Sequence, residues 1–181
     1  MKRRGLIRDK TGQFYLVAAI IISVIIIGLV TFSNYSTSQE STSIQNVGEE
    51  LKIESGKVLD FGTYNGYDDA QMQDLMEDFT SKYITYVQNG GDYYFLFGNS
   101  DKITVVGYSK TIGTIDVDTG FEKTSIDIPA AEITSQEFNT PSDNIIITVN
   151  GTDYLFELKK GENFYFIVSQ SIGGETHVTR N

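Results

Sequence analysis

Phe14 to Phe32 is an uninterrupted run of apolar and small residues, Phe-Tyr-Leu-Val-Ala-Ala-Ile-Ile-Ile-Ser-Val-Ile-Ile-Ile-Gly-Leu-Val-Thr-Phe, without a single charge. As a helix rising about 1.5 Å per residue it is roughly 28 Å long, close to the thickness of a bilayer's hydrocarbon core. A helix in a water-soluble core rarely goes five turns without a polar face. A cleaved secretory signal has a shorter apolar region, about 7–15 residues, and ends at a small-x-small site. Leu29-Val30-Thr31-Phe32 offers no such site. The run therefore reads as a transmembrane helix over residues 14–32.

Its flanks set the orientation. Residues 1–13 hold Lys2, Arg3, Arg4, Arg8 and Lys10 against Asp9, hence a charge of +4. The first basic residue after the run is Lys52. Basic flanks stay in the cytoplasm, so residues 1–13 form a cytoplasmic leader and the bulk of the chain lies outside the cell. That remainder holds nine basic and twenty-three acidic residues, hence −14. Such acidity repels nucleic acid and anionic lipid headgroups, so no nucleic-acid role is expected. The chain contains no cysteine, which excludes disulfides, zinc–thiolate sites and cysteine nucleophiles.

Beyond the apolar run, residues 33–43 are small and polar and read as a stalk. Residues 44–181 read as one extracytoplasmic domain of helices followed by strands. Ile44, Val47, Leu51, Val58 and Leu59 recur near helical spacing, interrupted by Gly48 and Gly56. Met72, Leu75, Met76, Phe79, Tyr83 and Val87 follow the i, i+3, i+4, i+7 pattern over Asp68 to Gln88, with Asp68 or Asp69 as the cap and Asn89-Gly90-Gly91 as the stop.

From Asp92 the period becomes two, and eight strands are expected: 93–97, 103–108, 112–117, 124–128, 145–149, 154–158, 164–169 and 176–179. Asn150-Gly151 is the strongest hairpin signal, because both turn positions need positive φ. Lys160 to Asn163 reads as another turn, pairing Tyr154, Phe156 and Leu158 with Phe164, Phe166 and Val168 as one aromatic layer. Pro129 and Pro141 bracket a polar connection, Ala130 to Thr140. The expected fold class is α+β. One or two amphipathic helices pack on an antiparallel sheet or sandwich.

Chemistry is sparse. His177 is the one histidine, near the end of the chain, and reads as a solvated tail or edge-strand residue. No Gly-x-Ser-x-Gly elbow, phosphate loop or dinucleotide fingerprint occurs. Asp116 and Asp118 supply half of a calcium loop without the later acidic ligand, and read instead as part of a polar turn. No catalytic, cofactor-binding or metal residues are assigned, and no enzymatic activity is expected. Asn34-Tyr35-Ser36 and Asn150-Gly151-Thr152 are candidate glycosylation acceptors, Asn34 and Asn150.

The most specific motif is at the cytoplasmic edge of the anchor, where Lys10-Thr11-Gly12 ends a basic segment and Gln13 opens the apolar run. This resembles the amino terminus of archaeal type IV pilin-like proteins with a class III signal peptide. The resemblance covers residues 2–33. It implies cleavage between Gly12 and Gln13 by a prepilin peptidase, retention of the helix, and packing of that helix against other pilin-like subunits. Val17 stands where family members commonly carry Glu, and Tyr15 where they carry Ser. These departures point to a pilin-like or minor protein rather than a major filament subunit. The implied function is a single-pass, membrane-anchored surface protein with a structural or assembly role. The alternatives are a signal-anchored outer domain that binds an envelope ligand, and a tethered enzyme whose site is not visible in the sequence.

Overall fold

The computed structural model describes residues 22–23, 44–87, 91–140, 142–172 and 175–181. The chain divides into two units, residues 1–41 and 42–181. In the first, Ile22 and Ser23 are helical. The rest of the expected transmembrane helix and the 33–43 stalk lie outside the described residues. No helix among the described residues is long and apolar enough to cross a membrane.

The second unit opens with helix α1, residues 44–64. Its buried stripe is Ile44, Gly48, Leu51 and Ser55, with Val47, Val58 and Leu59 half-buried beside it. Gly48 is a close-approach point, since a Cβ there would lie 2.7 Å from Thr179 Oγ1. The helix ends in a Schellman turn: Gly66 has φ 68°, Tyr67 N donates to Gly62 O at 3.0 Å, and Gly66 N donates to Thr63 O at 3.1 Å. Helix α2, Asp69–Val87, starts from a capping box. Gln71 N donates to Asp68 Oδ1 at 2.9 Å, and Asp68 N donates to Gln71 Oε1 at 3.1 Å. Met72, Met76, Thr80, Tyr83 and Ile84 form its buried face.

Nine antiparallel strands follow among the described residues. They are β1 (Asp92–Gly98), β2 (Lys102–Tyr108), β3 (Gly113–Asp118), β4 (Lys123–Ile128), β5 (Ile133–Asn139), β6 (Asn144–Val149), β7 (Thr152–Glu157), β8 (Asn163–Ile172) and β9 (Glu175–Arg180). They form a five-stranded sheet, β5-β2-β1-β8-β9, and a four-stranded sheet, β4-β3-β6-β7. The two sheets pack face to face, and α1 and α2 cover the outer face of the larger one.

The middle strands β1, β2 and β8 are therefore buried on both faces. This explains why they read as near-continuous apolar runs rather than alternating ones. Tyr93, Phe95 and Phe97 face the helices, where Tyr83 meets Phe95 edge-on at 6.4 Å between centroids and Phe95 meets Phe164 at 5.8 Å. Tyr94 and Leu96 point the other way, into the inter-sheet core with Ile115, Val117, Ile145 and Ile147. Burial raises the phenols of Tyr93 and Tyr94 to about 12, and it pushes Tyr83 up as well.

The structure corrects three expectations. Residues 133–139 are a strand, not part of a polar connection. As an edge strand, β5 contributes only the half-buried Phe138 to the inter-sheet core, so it needs little apolar sequence. Second, 154–158 and 164–168 are not a hairpin. β7 pairs with β6, whereas β8 pairs with β1 and β9. Lys159 to Glu162 instead cross from one sheet to the other, and the two aromatic sets enter different cores. Buried Asn163 fixes this corner: its Nδ2 donates to Gly98 O, Lys159 O and Gly161 O, while its Oδ1 accepts from Lys159 N. Strand β3 also begins at Gly113, leaving Ile112 exposed outside it.

Candidate functional site

A cavity of about 590 Å³ runs beside the outer edge of β5 and is walled on the other side by the turn joining β3 to β4. Its volume is within the range of about 300–1,000 Å³ usual for binding clefts. Five consecutive residues, Gln136 to Thr140, line it. Successive strand side chains point to opposite faces, so a cavity lined by consecutive residues faces the strand's own edge. Among the described residues β5 pairs with β2 alone, so its outward N–H and C=O groups have no ladder partner there.

The opposite wall is tied down by hydrogen bonds. Thr119 N donates to Glu122 O at 3.0 Å, Glu122 N donates to Thr119 Oγ1 at 3.2 Å, and Gly120 N donates to Asp118 Oδ1 at 2.8 Å. This turn holds Phe121 out at 84% exposure over the groove. Phe138, half-buried, provides a second aromatic surface.

Asp101, Glu122 and Glu137 make the groove acidic. Glu137 is held below the ordinary carboxylate range, first by hydrogen bonding to Lys102 and then by Gln73. The Lys102–Glu137 ion pair measures 2.5 Å. The groove thus offers unpaired backbone groups, two aromatic faces and fixed negative charge. Those groups suit an added extended chain bearing positive charge.

Smaller cavities lie elsewhere, two of them notable. One of about 240 Å³ lies at the opposite edge of the sandwich, between β9 and β7, with Tyr154, Thr176 and Val178 in its walls. Nearby, the Arg180 guanidinium lies 5.5 Å from the centre of the Tyr154 ring. The other, about 100 Å³, is at the start of α2, where Asp69, Asn99 and Glu162 meet. Burial, and then the Asp69 charge, raises the Glu162 carboxyl.

The residues singled out from sequence are scattered. Gly12, Gln13 and Asn34 lie outside the described residues. Asn150 occupies the β6–β7 turn with φ 51°, followed by Gly151 at φ 77°, as the hairpin reading requires, and it is exposed. Asp116 and Asp118 sit in β3 rather than in the expected polar turn, which begins only after Asp118. Asp116 accepts from Ser125 Oγ at 2.5 Å, and Lys123 lies 3.5 Å away. Its carboxyl is held low, chiefly by Ser125. Among the described residues no three His, Asp or Glu are grouped as a metal site. His177 is on edge strand β9, opposite Gln170, and its Nε2 is buried without a hydrogen-bond partner.

Of these, the described residues Asp116, Asp118, Asn150 and His177 do not line the β5 groove. The groove residues drew no attention in the sequence because β5 itself was not recognised. The one available signal was Phe121, a large apolar side chain at the apex of a polar turn. Comparison with protein-family models, with curated proteins and with solved structures finds no match to this chain.

Proposed function

We propose that this chain is a single-pass, membrane-anchored cell-surface protein of pilin-like type. Its N-terminal hydrophobic helix gives it a structural or assembly role. The observation that carries this reading is the charge-free run Phe14 to Phe32 directly behind a basic leader ending in Lys10-Thr11-Gly12-Gln13. Its partners on this reading are the lipid bilayer, a prepilin peptidase and other pilin-like subunits. An outer domain of two helices and two antiparallel sheets is compatible with it.

Intact mass and N-terminal sequencing of the protein isolated from its native membranes test this. We expect a chain beginning at Gln13. A chain beginning at Met1 or Lys2 would remove the pilin-type processing. It would leave the second reading, a signal-anchored outer domain that binds an envelope ligand. The acidic groove along β5, and Val17 in place of the family's usual glutamate, favour that second reading.

A further inference from the structure

We propose that the outer domain associates side by side with further copies of itself, β9 of one copy adding to the free edge of β5 in the next. The two edges of the five-stranded sheet are β5 and β9, seven and six residues long. Neither contains the proline or lysine with which natural edge strands discourage pairing.

Direction follows from topology. Four antiparallel steps separate β5 from β9, so the two strands run the same way. A copy displaced sideways without turning over therefore sets its β9 parallel to the neighbour's β5 and keeps the helices on one face. The same displacement brings β7, the outer strand of the smaller sheet, to the neighbour's β4. Three antiparallel steps separate those two, so they meet antiparallel. Both layers of the sandwich continue through one movement. Such a head-to-tail contact does not close on itself and generates a row.

Side-chain faces and charge select the register. Glu137 meets Gln73 of α2, and His177 pairs across the ladder with Gln170, on the face that carries Phe166 and Val168 toward the helices. Phe138 faces the other way, into the inter-sheet core. Only registers that keep these faces together are allowed. One of them sets His177 beside Glu137 and Val178, half out in solvent, beside Phe138. It also carries Arg180 to the end of the groove where Glu122 and Asp101 lie. The Arg180 guanidinium of β9 then meets the acidic end of the groove.

This inference rests on the anchored reading for one condition, that subunits inserted the same way in one bilayer share a strand direction. The absence of native cysteine makes the test direct. The full chain is expressed carrying Asn139→Cys, Thr179→Cys, or both. Membrane and soluble fractions are oxidised separately and run without reductant. In the proposed register residues 139 and 179 face each other, so the double variant should give a ladder of multiples, and each single variant should stay monomeric. Adding Arg180→Glu should weaken the ladder at least fivefold, and Glu122→Arg should restore it.

Dimers from either single variant would mean like edges pair, and would overturn the proposal. So would a monomeric double variant, provided that the Ser135→Cys/Glu175→Cys pair also stays monomeric and both variants melt as the parent does. Membrane-bound but uncrosslinked chains would sink this proposal and leave the anchor standing. Crosslinked chains in the soluble fraction would do the reverse.

Discussion

Asn163 shows how much one polar side chain can decide. It is almost fully buried, and all its amide groups are used, on Gly98, Lys159 and Gly161. These bonds hold the crossover that separates β7 from β8, so Asn163 stands where a hairpin turn was expected. Replacing it with Ala strands at least one buried carbonyl and the Lys159 N–H. At about 1–3 kcal/mol for a buried group left unpaired, Asn163→Ala should cost about 2–3 kcal/mol in urea denaturation. A loss under about 0.5 kcal/mol would mean that the corner is held by the strands alone. Asn150-Gly151 is the contrast. That turn was legible because positive φ at two successive positions is a local requirement that few residues meet. The Asn163 corner depends on Gly98, sixty-five positions away, and no local pattern reports it.

Among the elements, α2 was the most legible and β5 the least, for physical reasons. α2 buries one stripe, Met72-Met76-Tyr83-Ile84, so its sequence carries the helical period, and its cap lies within four residues. β5 buries almost nothing and carries no period. The strands β1, β2 and β8 were recognised, but their near-continuous apolar character held a further message. A strand apolar on both faces needs a layer on each side, and here those layers are the helices and the four-stranded sheet. Helix α1 lies between these cases. Gly48 and Gly56 looked like flaws in a helix, yet only Gly56 has open space around it. At Gly48 the missing side chain lets α1 approach β9, with Thr179 in the gap. Gly48→Leu should therefore destabilise the outer domain by about 1–3 kcal/mol through overpacking, despite leucine's better helix propensity. Gly56→Ala should stabilise it by about 0.5–1 kcal/mol. Paired thermal melts read both. Equal stabilisation by the two substitutions would show that α1 does not bear on β9.

Taken whole, the outer domain is three layers with an apolar core on either side of the five-stranded sheet, each holding a buried tyrosine of β1, and its response to alkali follows from that. Tyr93 and Tyr94 are adjacent on β1 and point into opposite cores, so neither layer can open to one phenol without exposing the sheet beneath. Burial is the first cause of the raised phenol in both, with the Asp92 charge second. Tyr83, on α2, is raised by burial too, and its hydroxyl is buried without a hydrogen-bond partner. An unfolded tyrosine ionises near pH 10. Between there and about pH 12 the unfolded chain releases these protons while the folded chain retains them, so stability falls as pH rises. The contribution is fully present below pH 10. Denaturant midpoints should accordingly hold constant from pH 8 to 9.5 and then drop steeply. Tyrosinate absorbance from the buried phenols of Tyr93 and Tyr94 should appear only with unfolding. Substituting Tyr93 with Phe, which keeps the ring and removes the proton, should flatten part of that drop. A single smooth absorbance transition near pH 10, with no loss of stability, would mean that water reaches both cores in the native fold.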